Sequence, residues 1–228
     1  MKIAILGAGP GIGLAVARRF GKEGFEVAMV ARNHDRLAEL TRTLAAEGVR
    51  AAAHPADLAD EAALGAALDR IGPVDVLVHN GVGTGEARTP VLDVTRRSAQ
   101  DAIDGAVLGA VTAVRAVLPG MLERGSGTLL FTSGISAVHP LPFLGNIGIA
   151  AAGLRNYALS LAEALRDRGV HVGHVPIAAA VTPDSPASPE IVADTHWSLH
   201  TGRDRHEVTL GDLAVLQAAM AAHAAQSV

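Results

Sequence analysis

Gly7, Gly11 and Gly13 follow the apolar run Ile3-Ala4-Ile5-Leu6 in the spacing G-x-x-x-G-x-G, and an amphipathic segment begins directly behind them. Strand, tight turn and helix in that order suit the binding of a pyrophosphate. Glycine lets the turn backbone approach the phosphates, and a helix start offers free N–H groups with a partial positive charge. Gly9, Pro10 and Ile12 complete the loop; Ile12 stands where the G-x-G-x-x-G form would need its third glycine. A tight turn without a ligand is the alternative. Acid–base chemistry has its own candidates. His79, His139 and His174 fall at or after the ends of expected strands and could converge on one cleft, where an imidazole is a ready acid or base. The plainer role for such histidines is in solvated loops or a satisfied core. Ser133, Ser136 and Asn146 could hydrogen-bond a carbonyl oxygen and stabilise an oxyanion, or simply hold a loop. Tyr157 is the one tyrosine, and Lys2 and Lys22 are the only lysines.

These residues need a frame. Ile12, Val16 and Phe20 recur at helical spacing, and Gly24 stops the helix. Strands are expected at 26–31, 49–54, 74–78, 127–132 and 170–175, with a short last one at 206–210. Helices are expected at 34–46, from Asp60 to 71, from 95 to 118 or beyond, at 146–168, from 189 to 200, and from 212 onward. Each strand is nearly all apolar, and strands alternate with helices. That pattern gives an α/β, doubly wound parallel sheet with helices on both faces, a single domain over residues 1–228. Ligands then sit outside the carboxyl ends of the strands. The loops at 7–13, 32–33, 57–58, 79–83, 133–145 and 176–189 share that edge.

Composition narrows the classes. The 228 residues are 49% hydrophobic, enough for one sizeable core. A net charge of −4 without a basic block argues against nucleic acid. With no cysteine, disulfides, thiolate metal sites and cysteine nucleophiles are excluded. No metal site is expected from the histidines either, since no regular ligand spacing supports one. Met1-Lys2 runs straight into a strand, so no signal peptide is expected. The stretch 125–154 lacks Asp, Glu, Lys and Arg but carries prolines and glycines, and reads as core strand, loop and helix rather than a membrane span. The expectation is a cytoplasmic protein.

Together the glycine turn, Asp57-Leu58, Asp75-Val76-Leu77-Val78-His79-Asn80-Gly81, Arg115-Ala116-Val117-Leu118-Pro119-Gly120-Met121 and Gly127-Thr128-Leu129-Leu130-Phe131-Thr132-Ser133 resemble the short-chain dehydrogenase/reductase family over about residues 1 to 185. The resemblance implies an NAD(P)-binding Rossmann fold. Gly7, Gly9, Pro10, Gly11, Ile12 and Gly13 would hold the pyrophosphate. Asp57 and Leu58 would flank the adenine, Asn80 and Gly81 would line the adenosine ribose side, and Thr182 would touch the cofactor. Ala31 stands where an acidic residue would bind a ribose 2′-OH. Arg32 and Asn33 follow, and a guanidinium there favours the phosphate of NADP over NAD.

The resemblance breaks at the chemistry. The family uses a Tyr and a Lys at i and i+4 on the helix after the fifth strand, so that the ammonium lowers the phenol pKa. It adds a Ser before that helix and an Asn in the central one. The matching positions are Ile147, Ala151, Gly134 and Ala106. Tyr157 lies ten residues beyond Ile147, on another face. The segments Gly145-Asn146-Ile147-Gly148-Ile149-Ala150, Leu154-Arg155-Asn156-Tyr157 and Trp197-Ser198-Leu199-His200-Thr201 are similar to an atypical branch of that family. Three functions follow. One is an NADP(H)-dependent oxidoreductase on a small carbonyl or alcohol, with a non-standard proton donor such as His139 or a water, and with Ser133 and Asn146 as catalytic candidates that hold the oxygen without donating a proton. The second is a non-catalytic NADP(H)-binding regulatory or partner protein. The third is a non-redox isomerase or lyase in the same cleft. The two long helices, rich in alanine, imply a homodimer or homotetramer.

Overall fold

The computed structural model describes residues 1–81 and 88–218. Val82 and Gly83 of the loop after the fourth strand, and the end of the last expected helix, lie outside them. Seven strands form one sheet: β1 (Lys2–Leu6), β2 (Glu26–Ala31), β3 (Ala51–Pro55), β4 (Val76–His79), β5 (Gly127–Gly134), β6 (Val170–Ala178) and β7 (Leu210–Gly211). The order is β3-β2-β1-β4-β5-β6-β7, and every pair is parallel. The order reverses between β1 and β4, and there Leu6 is level with His79. The crevice that such a reversal opens therefore lies between Gly7 and Asn80.

The helices are α1 (Ile12–Lys22), α2 (His34–Ala46), α3 (Glu61–Ile71), α4 (Arg96–Ile103), α5 (Gly109–Glu123), α6 (Gly145–Ala164) and α7 (Pro189–Gly202). One face of the sheet buries Leu77, Leu129, Phe131 and Val172 beneath apolar residues of α3, α5 and α6. The other buries Ile3, Ile5, Met29 and Leu130 beneath α1, α2 and α7. On that side Phe20 meets Phe25 and Trp197 edge to face at 5.3 and 5.1 Å, and Arg19 stacks over Trp197 at 4.6 Å while pairing with Asp194 at 2.8 Å. This cluster explains why the Trp197–Thr201 segment is helical and where it docks. Arg96–Glu123 is long and apolar enough to cross a bilayer by length and composition, but Ala110, Ala113, Val114, Val117 and Met121 are its buried side on the sheet.

Caps set several boundaries: Asn33 accepts from the Arg36 N–H, Asp60 from Ala63 and Ser188 from Ile191. Elsewhere the structure corrects the expected ranges. The long helix from 95 is not uniform: residues Asp104–Leu108 form a π turn between α4 and α5. Within it the Ala106 carbonyl lies 3.0 Å from His79 Nε2, and a π bulge is how a helix releases a carbonyl sideways. The helix α6 ends at Ala164 rather than 168, because Asp167 and Gly169 take positive φ of 62° and 74°. A Cβ on Gly169 would stand 2.0 Å from the Gly125 carbonyl oxygen, so the chain turns there as glycine into β6. The fifth and sixth strands run further than expected, pairing each other to Gly134 and Ile177. The last strand is only Leu210–Gly211; Glu207 makes a single bridge to His174 before it.

Histidine is common here, at 10 residues, and several rings are buried. Burial holds His79 and His171 down to about 4 and His196 to about 3. In the unfolded chain the same rings take a proton near pH 6.5. Below that value the unfolded state binds more protons, so stability is complete above pH 6.5 and falls as the pH drops toward 4. His79 alone accounts for roughly 3 kcal/mol across that window. Thermal melts followed by circular dichroism are expected to hold a constant Tm from pH 8 to 7. They should then lose Tm steeply between pH 6.5 and 5, and His79→Asn should make that slope shallower.

Candidate active site

Backbone packing builds the loop after β1. Gly7 has φ +72°, and a Cβ on it would stand 3.0 Å from the Asn80 carbonyl. A Cβ on Gly13 would stand 2.8 Å from Ala8 Cα. Both glycines let one stretch of backbone lie on another. Gly9 and Gly11 differ, since a Cβ there would meet nothing within 4 Å. Their outer side is open space at the N-terminus of α1, where no side chain caps the helix and no acidic residue sits in its first turn. The uncapped N–H groups and the open glycine side form a cradle fitted to an anion. Around it, Arg32 is exposed and makes no ion pair among the described residues, whereas the Asn33 side chain is occupied in capping α2. Asp57 Oδ1 accepts the Ala59 N–H at 3.0 Å, and Leu58 is buried beneath Gly109. Asn80 Oδ1 accepts from Thr132 Oγ1 at 2.6 Å, while its Nδ2 is buried without a partner. Gly81 leaves room for the His79 ring, which a Cβ would meet at 2.7 Å. Thr182 is exposed in a turn, its N–H donating to Ser185 Oγ at 3.4 Å.

A small cavity of about 20 Å³ lies beneath α6, with room for about one water molecule. Gly81, Ala106, Thr132, Ser133, Gly134, Ile147, Ala150, Ala151 and Leu154 line it. Ala106, Gly134, Ile147 and Ala151, the four positions aligned with the acid–base set, thus surround one space. Among the described residues, Thr132 and Ser133 bring its only side-chain oxygens. The Thr132 hydroxyl is shared between Asn80 and His196 Nε2, the latter at 2.8 Å. Ser133 Oγ stands 2.9 Å from His174 Nε2. A larger hollow of about 340 Å³ lies over β2 and β3, bordered by Lys2, Glu26, Arg50, His54 and Arg70, and none of the marked residues reaches it.

The other candidates are placed apart from this cavity's lining. His139 is exposed on the turn after residues 135–137. Asn146 is buried, and its Oδ1 accepts the Thr89 N–H at 2.9 Å while Nδ2 faces the Ser98 carbonyl at 3.5 Å. That amide fastens the segment before α4 to the first turn of α6. Ser136 Oγ is buried without a partner, 3.7 Å from where a Cβ on Gly134 would be. Tyr157 is half-buried, edge-on to Phe131 at 6.4 Å, and burial pushes its phenol up, away from neutral-pH exchange. Lys2 Nζ donates to the Ile71 carbonyl, close to where β1 begins. Among the described residues no His/Asp/Glu group could hold a metal ion.

One group of residues was not read as a unit from the sequence. His174 Nδ1 stands 3.0 Å from Glu207 Oε2, and Arg155 binds the same carboxylate with both forks, at 2.7 and 2.8 Å. Ser133, His174, Glu207 and Arg155 therefore form one line running from the cavity to the outer side of α6.

The comparisons agree with this frame. Residues 1–188 match the family model described as short chain dehydrogenase. The chain is 31% identical over 180 residues to dehydrogenase/reductase SDR family member 4 of Sus scrofa, covering 75% of this chain and 63% of that protein. It thus spans less than two thirds of the length of that relative. Among solved structures, L-sorbose reductase from Gluconobacter frateurii, complexed with NADPH and L-sorbose, superposes with a TM-score of 0.83 at 28% identity, covering 93% of this chain and 96% of that one. A metagenomic short-chain oxidoreductase in complex with NADP gives 0.80 at 26%, covering 91% and 96%.

The two kinds of glycine separate experimentally. Gly13→Ala is expected to cost about 1–3 kcal/mol of stability through the Ala8 contact. Gly9→Ala should fold with an unchanged melt and lose anion affinity only. Urea titrations of both variants, with and without 10 mM pyrophosphate, check this.

Proposed function

Because the chain belongs to the short-chain dehydrogenase family, we propose that it is an NADP(H)-dependent oxidoreductase acting on a small carbonyl or alcohol with a non-standard proton donor. The observation that carries this reading is the pairing of a glycine cradle, open at Gly9 and Gly11, with an apolar cavity that holds a single serine hydroxyl not shared with Asn80. The residues fit a dinucleotide. The N–H groups at Gly11, Ile12 and Gly13 would hold its pyrophosphate, Asp57 and Leu58 would flank the adenine, and the unpartnered Asn80 Nδ2 would turn to the ribose with Gly81 beside it. Thr182 would close over the far end. When bound, the nicotinamide supplies hydride transfer. The chain's own part is to orient a carbonyl in a dry, narrow space and exchange one proton with its oxygen. The neighbours' NADP and NADPH, together with Arg32 at the end of β2, support the phosphorylated cofactor.

We read the protein further as a cytoplasmic homodimer or homotetramer with a small-molecule substrate and neither nucleic acid nor membrane as partner. The net charge of −4 supports this, as do exposed Leu108 and Ile149 beside the long helices. Light scattering at micromolar concentration is expected to give a multiple of 23.3 kDa.

Calorimetric titration with NADPH and with NADH tests the cofactor reading. Micromolar binding of NADPH with much weaker NADH binding is expected. Arg32→Ala should raise the NADPH Kd roughly tenfold or more and leave NADH unchanged, as loss of a charge-assisted contact to the phosphate requires. Binding of neither would overturn the reading.

A further inference from the structure

We propose that Ser133, His174 and Glu207 form a proton relay that opens on the cavity beneath α6, with Ser133 Oγ exchanging the proton of a substrate hydroxyl or carbonyl oxygen. The proposal deepens the oxidoreductase reading and rests on it for the substrate class, secondary alcohols and ketones with apolar substituents. The geometry alone orders the hydrogens. A carboxylate only accepts, so the His174 nitrogen facing Glu207, Nδ1, carries the hydrogen. In a neutral ring Nε2 then presents a lone pair to which the Ser133 hydroxyl, 2.9 Å away, can donate, with the Gly134 carbonyl at 3.2 Å as that hydroxyl's other acceptor. Ser133 lines the cavity at 6% exposure, while His174 is fully buried. Glu207, with its side chain 24% exposed, is the end that meets solvent.

The fold fixes this line from several sides. Ser133 and His174 lie on neighbouring strands, β5 and β6. The His174 N–H donates to the His206 carbonyl at 2.9 Å and the Val208 N–H to the His174 carbonyl at 3.0 Å, stitching the backbone around Glu207 to β6. The bidentate Arg155 fork from α6 locks the carboxylate and holds Glu207 ionised, well below the usual carboxylate range. A histidine in the middle of a strand otherwise buried and nearly all apolar needs such partners. Ser133 is also the hydroxyl of the cavity lining that Asn80 and His196 do not engage, which leaves it to link the cavity to His174.

In alcohol oxidation the substrate O–H bond breaks and its proton passes to Ser133 Oγ. The Ser133 proton passes to His174 Nε2, giving an imidazolium beside Glu207. The C–H electron pair leaves as hydride, for which the co-reactant is an oxidised nicotinamide dinucleotide. In reduction every transfer reverses. Ser133 would touch substrate and is the catalytic residue; His174 and Glu207 are positioning residues that act through it. The charged and titratable groups facing His174 are Glu207, Arg155 from α6 and His196 from α7.

The first test needs no cofactor. Nitrogen-15 spectra of the histidine-labelled protein are expected to show neutral His174 as the Nδ1–H tautomer. Ser133→Ala should shift its Nε2 resonance and leave Nδ1 in place. Protonation at Nε2 in the neutral ring, or an Nε2 resonance blind to Ser133→Ala, overturns the relay whether or not NADPH binds. The second test follows oxidation of 2-octanol and cyclohexanol with NADP+. Ser133→Ala is expected to lower kcat at least 100-fold with the NADP+ Kd unchanged, and Ser133→Thr to restore part of it. Glu207→Gln should lower kcat about tenfold and move the acid limb of the pH profile downward, because the Glu207 charge raises His174. A Ser133→Ala enzyme within threefold of the parent overturns the relay. Failure of both nucleotides to bind overturns the oxidoreductase reading instead, and the tautomer still decides the relay.

Discussion

The structure depends on how closely two pieces of backbone can approach where β1 gives way to β4. Gly7 lies against the Asn80 carbonyl, and Gly13 against Ala8. A methyl group at either place pushes the first strand off its neighbour or the first helix off its turn. That closeness is possible only because the sheet order reverses here, leaving no crossover helix in the way. The same constraint aims the start of α1 outward, uncapped, and leaves Gly9 and Gly11 facing open space. An edge shaped to receive an anion is thus a by-product of packing, and no charged side chain is needed to create that shape.

A second constraint acts across β4, β5 and β6. These strands are buried on both faces, yet they carry His79, Thr132, Ser133, His171 and His174. Buried polar groups call for partners, and the fold supplies them to His79, Thr132 and His174 from distant places while His171 Nε2 has none. A π turn gives the Ala106 carbonyl to His79, α7 gives His196 to Thr132, and the segment after α7 gives Glu207 to His174. Desolvation keeps these rings neutral around neutral pH. A neutral imidazole backed by a carboxylate is a base, so the interior already holds the form that could take a proton from the cavity.

The fold was legible because its signals are local: continuous apolar runs for the strands, helices with polar outer faces, and glycine or Asp60 at helix ends. The cradle was legible for the same reason, since residues 7–13 are contiguous. The convergence of Ala106, Gly134, Ile147 and Ala151 followed from resemblance, and the structure sets all four around one space. The π turn at 104–108 had no local mark, and the partner of its Ala106 carbonyl, His79, is 27 residues away. The partnership of His174 with Glu207 was hidden for a similar reason. It bridges 33 residues and ends in a segment without periodicity, beyond the 188 residues that match the family. One sign was present: a histidine at the end of an expected apolar strand, which the structure extends to Ala178. Burial rules required it to have a partner, though they did not name which.

Ile147 and Ala151 give the cavity beneath α6 an apolar wall, and that sets what the remaining groups can do. An ammonium in this cavity would hold His174 neutral by repulsion and compete for Glu207. With an apolar wall instead, the nearest cation is Arg155, which is spent on the carboxylate. The low-dielectric surroundings strengthen the attraction between Glu207 and any positive charge formed on His174. Burial still costs that imidazolium more than Glu207 returns, so His174 rests neutral and a positive charge on it is tolerated only beside the carboxylate. The apolar face of α6 and the serine–histidine–glutamate line therefore bound one small space, the first closing it with hydrocarbon and the second bringing it a hydroxyl backed by a base.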